Sequence, residues 1–120
     1  MLKVFAYQGC STCRNAIKWL NARDIKFEER AIRETPPYVA ELKAMLAAKQ
    51  GNLRLLMNTS GMDYRALGLK DKLPSMSQDE VLRLLSENGN LMKRPFAMDQ
   101  RAGVFLTGFK EPEWKAALGG

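Results

Sequence analysis

The chain holds two cysteines, spaced as C-x-x-C in Gly9-Cys10-Ser11-Thr12-Cys13-Arg14, between a run patterned as a strand and a run patterned as a helix. That placement constrains the fold more than any other feature. Leu2 to Tyr7 is rich in β-formers, alternates loosely and ends at Gln8-Gly9, where the backbone can turn sharply. From Ser11 to about Asn21, the residues Cys13, Ala16, Ile17 and Leu20 recur at i, i+3, i+4 and i+7, which draws one buried stripe on a helix. Arg14, Asn15 and Lys18 fall off it. Cys10 therefore stands at the helix mouth, and Cys13 lies one turn in on the core side. Ile25 to about Ile32 patterns as a second strand, so the opening is a β-α-β unit with parallel strands and a right-handed crossover.

A helix-mouth cysteine is chemically pointed. The thiolate is the nucleophile, a free thiol titrates at about 8.5, and a helix N-terminus or a nearby cation favours the anion. An attacking Cys10 and a shielded, resolving Cys13 follow from the stripe. Arg14, a cation in the first turn, opposes the helix dipole, so a surface role competes with thiolate activation.

The rest of the chain divides in two. Thr35-Pro36-Pro37 reads as a helix start with Thr35 as N-cap, and Val39, Leu42, Met45 and Leu46 mark the buried face of that helix, which ends near Gln50-Gly51. Leu53 to Met57 and Tyr64 to Leu69 read as short helical pieces around Asn58-Thr59-Ser60-Gly61, where Asn58 and Ser60 cap or turn the chain, and Leu73-Pro74-Ser75 reads as a loop. Ser77-Gln78-Asp79-Glu80 matches the capping box ahead of Val81, Leu82, Leu84 and Leu85, a helix stopped at Asn88-Gly89-Asn90. The span from about 36 to 90 is thus helical. Pro95 to Met98 and Val104 to Leu106 then form short strands joined through Asp99 to Gly103, and Pro112 opens a last helix with Trp114 and Leu118 inward.

Composition removes several function classes. At 120 residues the chain is expected to form a single domain, 1–120, able to bury a core without disulfide staples. No apolar run approaches the roughly 20 residues of a bilayer span, and the N-terminus lacks the apolar region of a signal peptide, so a cytoplasmic protein without membrane contact is expected. The net charge of +6 is spread over helical patterns in Lys18, Arg23, Lys43, Lys49, Arg83 and Lys115 rather than gathered in a block, which argues against direct nucleic-acid binding. With no histidine, Cys-His hydrolysis is excluded, and two thiolates leave a tetrahedral zinc ion short of ligands, so no metal is expected.

A β-α-β start with C-x-x-C at the helix mouth, then a helical segment, a hairpin and a final helix, resembles the thioredoxin-like plan. With Asn58-Thr59-Ser60-Gly61, Lys93-Arg94-Pro95 and Gly108-Phe109-Lys110 in that order, the whole chain resembles the arsenate reductase and Spx family, nearer its C-x-x-C, Spx-like branch. The resemblance implies an α/β fold with a four-stranded mixed sheet flanked by helices, a helical insertion between strands 2 and 3, a cis peptide bond before Pro95, and Cys10 as the reactive thiol. It also implies an oxidoreductase of the thiol-disulfide type, in which Cys10 attacks, Cys13 resolves by forming the Cys10–Cys13 disulfide, and Arg94 stabilises the thiolate or an anionic substrate through its fork of donors. Ser11, Thr12, Arg14, Arg94 and Pro95 would bind substrate, with Pro95 shaping the floor of the site. Glutathione or a thioredoxin- or glutaredoxin-type protein would be the reductant of a monomer without a resident cofactor.

The alternative is a redox-sensing, Spx-like regulator that binds the C-terminal domain of the RNA polymerase α subunit. Gly51 matches a glycine of that regulator's binding surface, although a helix C-cap explains it more simply, and this chain stops soon after its last helix. Arsenate reduction is expected to be weak or absent. Of the three arginines that hold the oxyanion in glutathione-linked arsenate reductases only Arg94 has a counterpart, the other two matching positions near Asn58 and Thr107. Each lost charge-assisted bond is worth roughly 1.5–3 kcal/mol.

Overall fold

A computed structural model describes residues 1–119. Its central strand is β1 (Leu2–Ala6), whose side chains alternate between two core layers: Leu2, Val4 and Ala6 join one and Phe5 the other. Strand β2 (Phe27–Ala31) runs parallel to β1, with Leu2 opposite Phe27 and Ala6 opposite Ala31. On the other side β3 (Phe96–Asp99) is antiparallel, with Val4 opposite Ala97, and β4 (Val104–Thr107) continues the meander. The result is the four-stranded mixed sheet β2-β1-β3-β4 expected from the resemblance.

Helix α1 (Ser11–Ala22) is the crossover between the parallel strands, and α2 (Val39–Ala48), α3 (Met62–Ala66), α4 (Leu69–Lys72) and α5 (Gln78–Glu87) form the insertion between β2 and β3. Helix α6 (Glu111–Leu118) follows β4. Each sheet face has its own layer. Leu42, Met45, Leu46, Leu82 and Leu85 of the insertion pack with Phe5, Phe96 and Met98, whereas Cys13, Ala16, Trp19 and Leu20 of α1 and Trp114 of α6 pack with Val4, Ala97 and Leu106. Because alternate residues of one strand feed both layers, covering the sheet requires helices on both sides.

Local expectations shift where tertiary contacts compete. On α1, Trp19 is buried and Ile17 only half-buried. Trp19 faces the aromatic group of Phe109 and Trp114, with ring centroids 6.1 and 6.3 Å away, while Ile17 looks out beside Glu29 near the sheet edge. Ile25 is not in β2: its N–H donates to the Leu20 carbonyl at 3.1 Å and so completes the C-terminal turn of α1. Thr35 does not cap α2. Its hydroxyl and N–H both bond back to the Ala31 carbonyl, at 3.1 and 2.7 Å, closing a turn after β2. The cap residue is Tyr38, whose N–H donates to Glu41 Oε1 at 2.9 Å. Leu73–Ser75 is a single 3₁₀ turn rather than a loop.

Other elements form as read. In the capping box of α5, Glu80 N–H donates to Ser77 Oγ at 3.1 Å and Ser77 N–H to Glu80 Oε1 at 3.2 Å. The β3–β4 hairpin pairs Asp99 with Val104. The Arg94–Pro95 peptide bond is cis.

Candidate active site at the mouth of helix α1

Strand β1 delivers the chain to a turn in which the Cys10 N–H donates to the Tyr7 carbonyl at 3.0 Å. Cys10 is the N-cap of α1, and its Sγ accepts the Cys13 N–H at 3.3 Å. A capping position normally filled by a hydroxyl or carboxylate oxygen is here filled by sulfur. The first turn of α1 holds no acidic residue, so the partial positive charge of the helix end is not offset there.

Cys13 lies beneath, 1% exposed. Its thiol is pushed from 9.0 up to about 12, chiefly by burial and also by the neighbouring Cys10, while a hydrogen bond with the Tyr7 backbone and the charge of Arg94 act in the opposite sense. Both cysteines are free. The pair is therefore asymmetric in exposure, Cys10 half-buried at a surface and Cys13 sealed under it.

Cys10 opens into a cleft of about 370 Å³, lined also by Thr12, Asn58, Lys93, Arg94, Thr107, Gly108, Phe109 and Lys110. Three cations and no carboxylate border it. Among the described residues, Lys93, Arg94 and Lys110 take part in no ion pair. The far wall is held from behind. Gly108, at φ +71°, donates its N–H to the Pro95 carbonyl at 2.9 Å, and its own carbonyl accepts the indole N–H of buried Trp114 at 2.9 Å. Phe109 stacks edge-on against Trp114 with centroids 5.2 Å apart. A Cβ at Gly108 would stand 2.9 Å from Lys93 Cε, so the missing side chain is what lets the Lys93 stem lie across this loop.

Of the residues selected from sequence, Cys10, Thr12 and Arg94 line the cleft. Ser11 is exposed outside it, Pro95 is buried behind it, and Cys13 lies below. Arg14 turns away and donates from Nη1 to the Gln8 carbonyl at 2.6 Å, bordering a separate groove with Ile17, Lys18 and Glu29. Lys93, Lys110 and Phe109 were missed as site residues, although each belongs to a segment that carried the resemblance. Asn58, read as a turn residue, and Thr107, which the resemblance matches near an arginine position, reach the same cleft as Arg94.

A family model described as the ArsC family matches residues 5–117. The chain belongs to the ArsC family. It is 44% identical to the protein YusI of Bacillus subtilis over 115 residues, covering 95% of each chain. It is 32% identical to the global transcriptional regulator Spx of Enterococcus faecalis, covering 98% of this chain and 86% of that one. The crystal structure of an ArsC-family-related protein from Bacteroides fragilis superposes with a TM-score of 0.87 at 39% identity, covering 97% of this chain and 96% of that one. Membership agrees with the topology. Among the described residues no helix is long and apolar enough to cross a membrane, and no cluster of histidine, cysteine, aspartate or glutamate could hold a metal ion.

Proposed function

We propose that this ArsC-family protein is a thiol-disulfide reductase that acts on small anionic disulfides, with Cys10 as nucleophile and Cys13 as resolving thiol. The observation that carries this reading is the position of Cys10 Sγ, at an unopposed helix N-terminus and open to a cleft bordered by Lys93, Arg94 and Lys110.

The Cys10 thiolate attacks one sulfur of the substrate disulfide, and the S–S bond breaks as the other half departs as thiolate and takes up a proton. Cys10 is then part of a mixed disulfide and carries no charge. Both influences by which Cys10 raises the Cys13 thiol end at that moment, and burial alone still opposes its ionisation. Cys13 gives up its proton, attacks Cys10 Sγ and releases the second half of the substrate, leaving the Cys10–Cys13 disulfide. The substrate gains two electrons, and two glutathione thiols or one dithiol of a thioredoxin- or glutaredoxin-type partner return them. Arg94 would meet an anionic group of the substrate. No resident cofactor is needed.

The test combines Cys10→Ser and Cys13→Ser variants, glutathione disulfide and intact-mass spectrometry. Wild type should close its internal disulfide, Cys13→Ser should accumulate one glutathione adduct on Cys10, and Cys10→Ser should do neither. An adduct first formed on Cys13, or no reaction of Cys10, would overturn the reading.

A second reading is a redox-responsive regulator that binds the C-terminal domain of RNA polymerase α. It draws on the likeness to a relative named as a transcriptional regulator and on the exposure of Gly51. Gly51 has φ +79° and donates to the Leu46 carbonyl at 2.9 Å, so ending α2 accounts for it as well. Calorimetry with that domain, in both redox states, decides between the readings. Arsenate turnover is expected to be weak or absent, because Asn58 and Thr107 border the cleft where the resemblance calls for arginines.

A further inference from the structure

Tyr7 touches both cysteines and Arg94 without lining the cleft. Its carbonyl accepts the Cys10 N–H, and its backbone bonds the Cys13 thiol. Its ring lies against the turn that carries Cys10, since a Cβ built on Gly9 would stand 2.7–2.9 Å from Tyr7 ring atoms. Two guanidinium groups rest on that ring, with Arg33 Cζ 4.7 Å and Arg94 Cζ 5.6 Å from its centroid. Neither arginine takes part in an ion pair among the described residues. Among the described residues the ring face is thus the attractive partner of the Arg94 head group. A phenyl face draws a guanidinium by its quadrupole and leaves the N–H donors of the rim free for an anion.

We infer that Tyr7 is a positioning residue for anion selectivity: its ring holds the Arg94 guanidinium beside Cys10, so that reagents carrying a negative charge are favoured at that sulfur. The inference deepens the proposed function and rests on Cys10 being the reactive thiol. The phenol oxygen has no part in it. The aromatic face does the holding, and Gly9 is the residue that gives the ring room.

Alkylation by paired reagents of equal chemistry and different charge tests this directly. Iodoacetate and iodoacetamide each form one S–C bond at Cys10 and release iodide, and mass spectrometry of the full reduced chain gives the rate at that residue. In wild type the ratio of the iodoacetate rate to the iodoacetamide rate should exceed that of a free cysteine peptide, and Arg94→Gln should lower it. Tyr7→Leu should lower it by about two- to fivefold, the factor matching loss of an exposed cation–π contact. Tyr7→Phe should retain the wild-type ratio, and Tyr7→Thr, an independent replacement, should match Tyr7→Leu. In the Arg94→Gln background Tyr7→Leu should cause no further drop. An unchanged ratio in Tyr7→Leu and Tyr7→Thr, or an equal added drop in the Arg94→Gln background, overturns the inference. Because alkylation needs no turnover, a chain that keeps this pattern yet fails to form the Cys10–Cys13 disulfide would remove the reductase reading and leave the role of Tyr7 standing.

Discussion

Cys13 should give the protein a measurable loss of stability in mild alkali. Its thiol titrates at 9.0 without the fold and at about 12 within it, chiefly because burial disfavours the thiolate. Between these values the native state holds a proton that the unfolded chain has released, so unfolding free energy falls as pH rises. The contribution is fully present below pH 9.0 and is lost progressively toward pH 12. Three units at about 1.4 kcal/mol each give a full loss of about 4 kcal/mol. About half of it, roughly 2 kcal/mol, should have gone by pH 10.5. Lysines and tyrosines titrate in the same window, so the comparison is with Cys13→Ala, which keeps them all. Urea unfolding of both proteins under a phosphine reductant, from pH 7 to 10.5, should show the wild-type advantage over Cys13→Ala shrinking by about 2 kcal/mol. In Cys10→Ser the loss should level off at lower pH, because both influences of Cys10 on Cys13 are gone. Parallel stability curves for wild type and Cys13→Ala would refute the reasoning, and so would native Cys13 alkylating at pH 8 as fast as a free thiol.

Trp114, 0% exposed and bonded to the Gly108 carbonyl, fastens the cleft wall to α6. Trp114→Ala should cost about 3–5 kcal/mol in urea unfolding, and Trp114→Phe, which strands that carbonyl, about 1–3 kcal/mol. At Gly89 an added Cβ would lie 1.8 Å from the Ile32 carbonyl oxygen, a clash with backbone that no rotamer relieves. Gly89→Ala should therefore lose at least about 1–3 kcal/mol, visible as a lowered Tm. Ser77→Ala removes one half of the α5 capping box and should cost about 1 kcal/mol, with Cys10 alkylation unchanged because α5 lies on the far face of the sheet from α1.

The framework was legible because its signals are local. C-x-x-C between a β-rich run and a helical stripe placed Cys10 at a helix mouth and Cys13 inside, and both positions hold. The capping box at Ser77 was equally readable, since both of its bonds are made within three residues. Errors came where one residue had two options and a contact outside the expected element chose. Thr35 could cap α2 or close the turn behind β2, and the Ala31 carbonyl, left at the end of an edge strand, took it. Ile25 could extend β2 or finish α1, and the Leu20 carbonyl at the end of that helix, which also accepts the Arg23 N–H, took it. Trp19 lay off the expected stripe, but α6 and the loop before it bring Trp114 and Phe109 against it.

The sequence by itself determined the order of strands and helices along the chain and the asymmetry of the cysteine pair. Each follows from periodicity and spacing within a few residues, where backbone geometry leaves little choice. Only the tertiary structure decided which charges stand around the sulfur. Lys93, Arg94 and Lys110 reach Cys10 because β3 pairs with β1, and because Trp114 and Gly108 hold the last loop against the helix mouth, while Arg14, nearest in the chain, is drawn off to Gln8. The weak acidity of Cys13 is likewise a tertiary property, since it arises mainly from the desolvation that packing imposes and no spacing of residues encodes it.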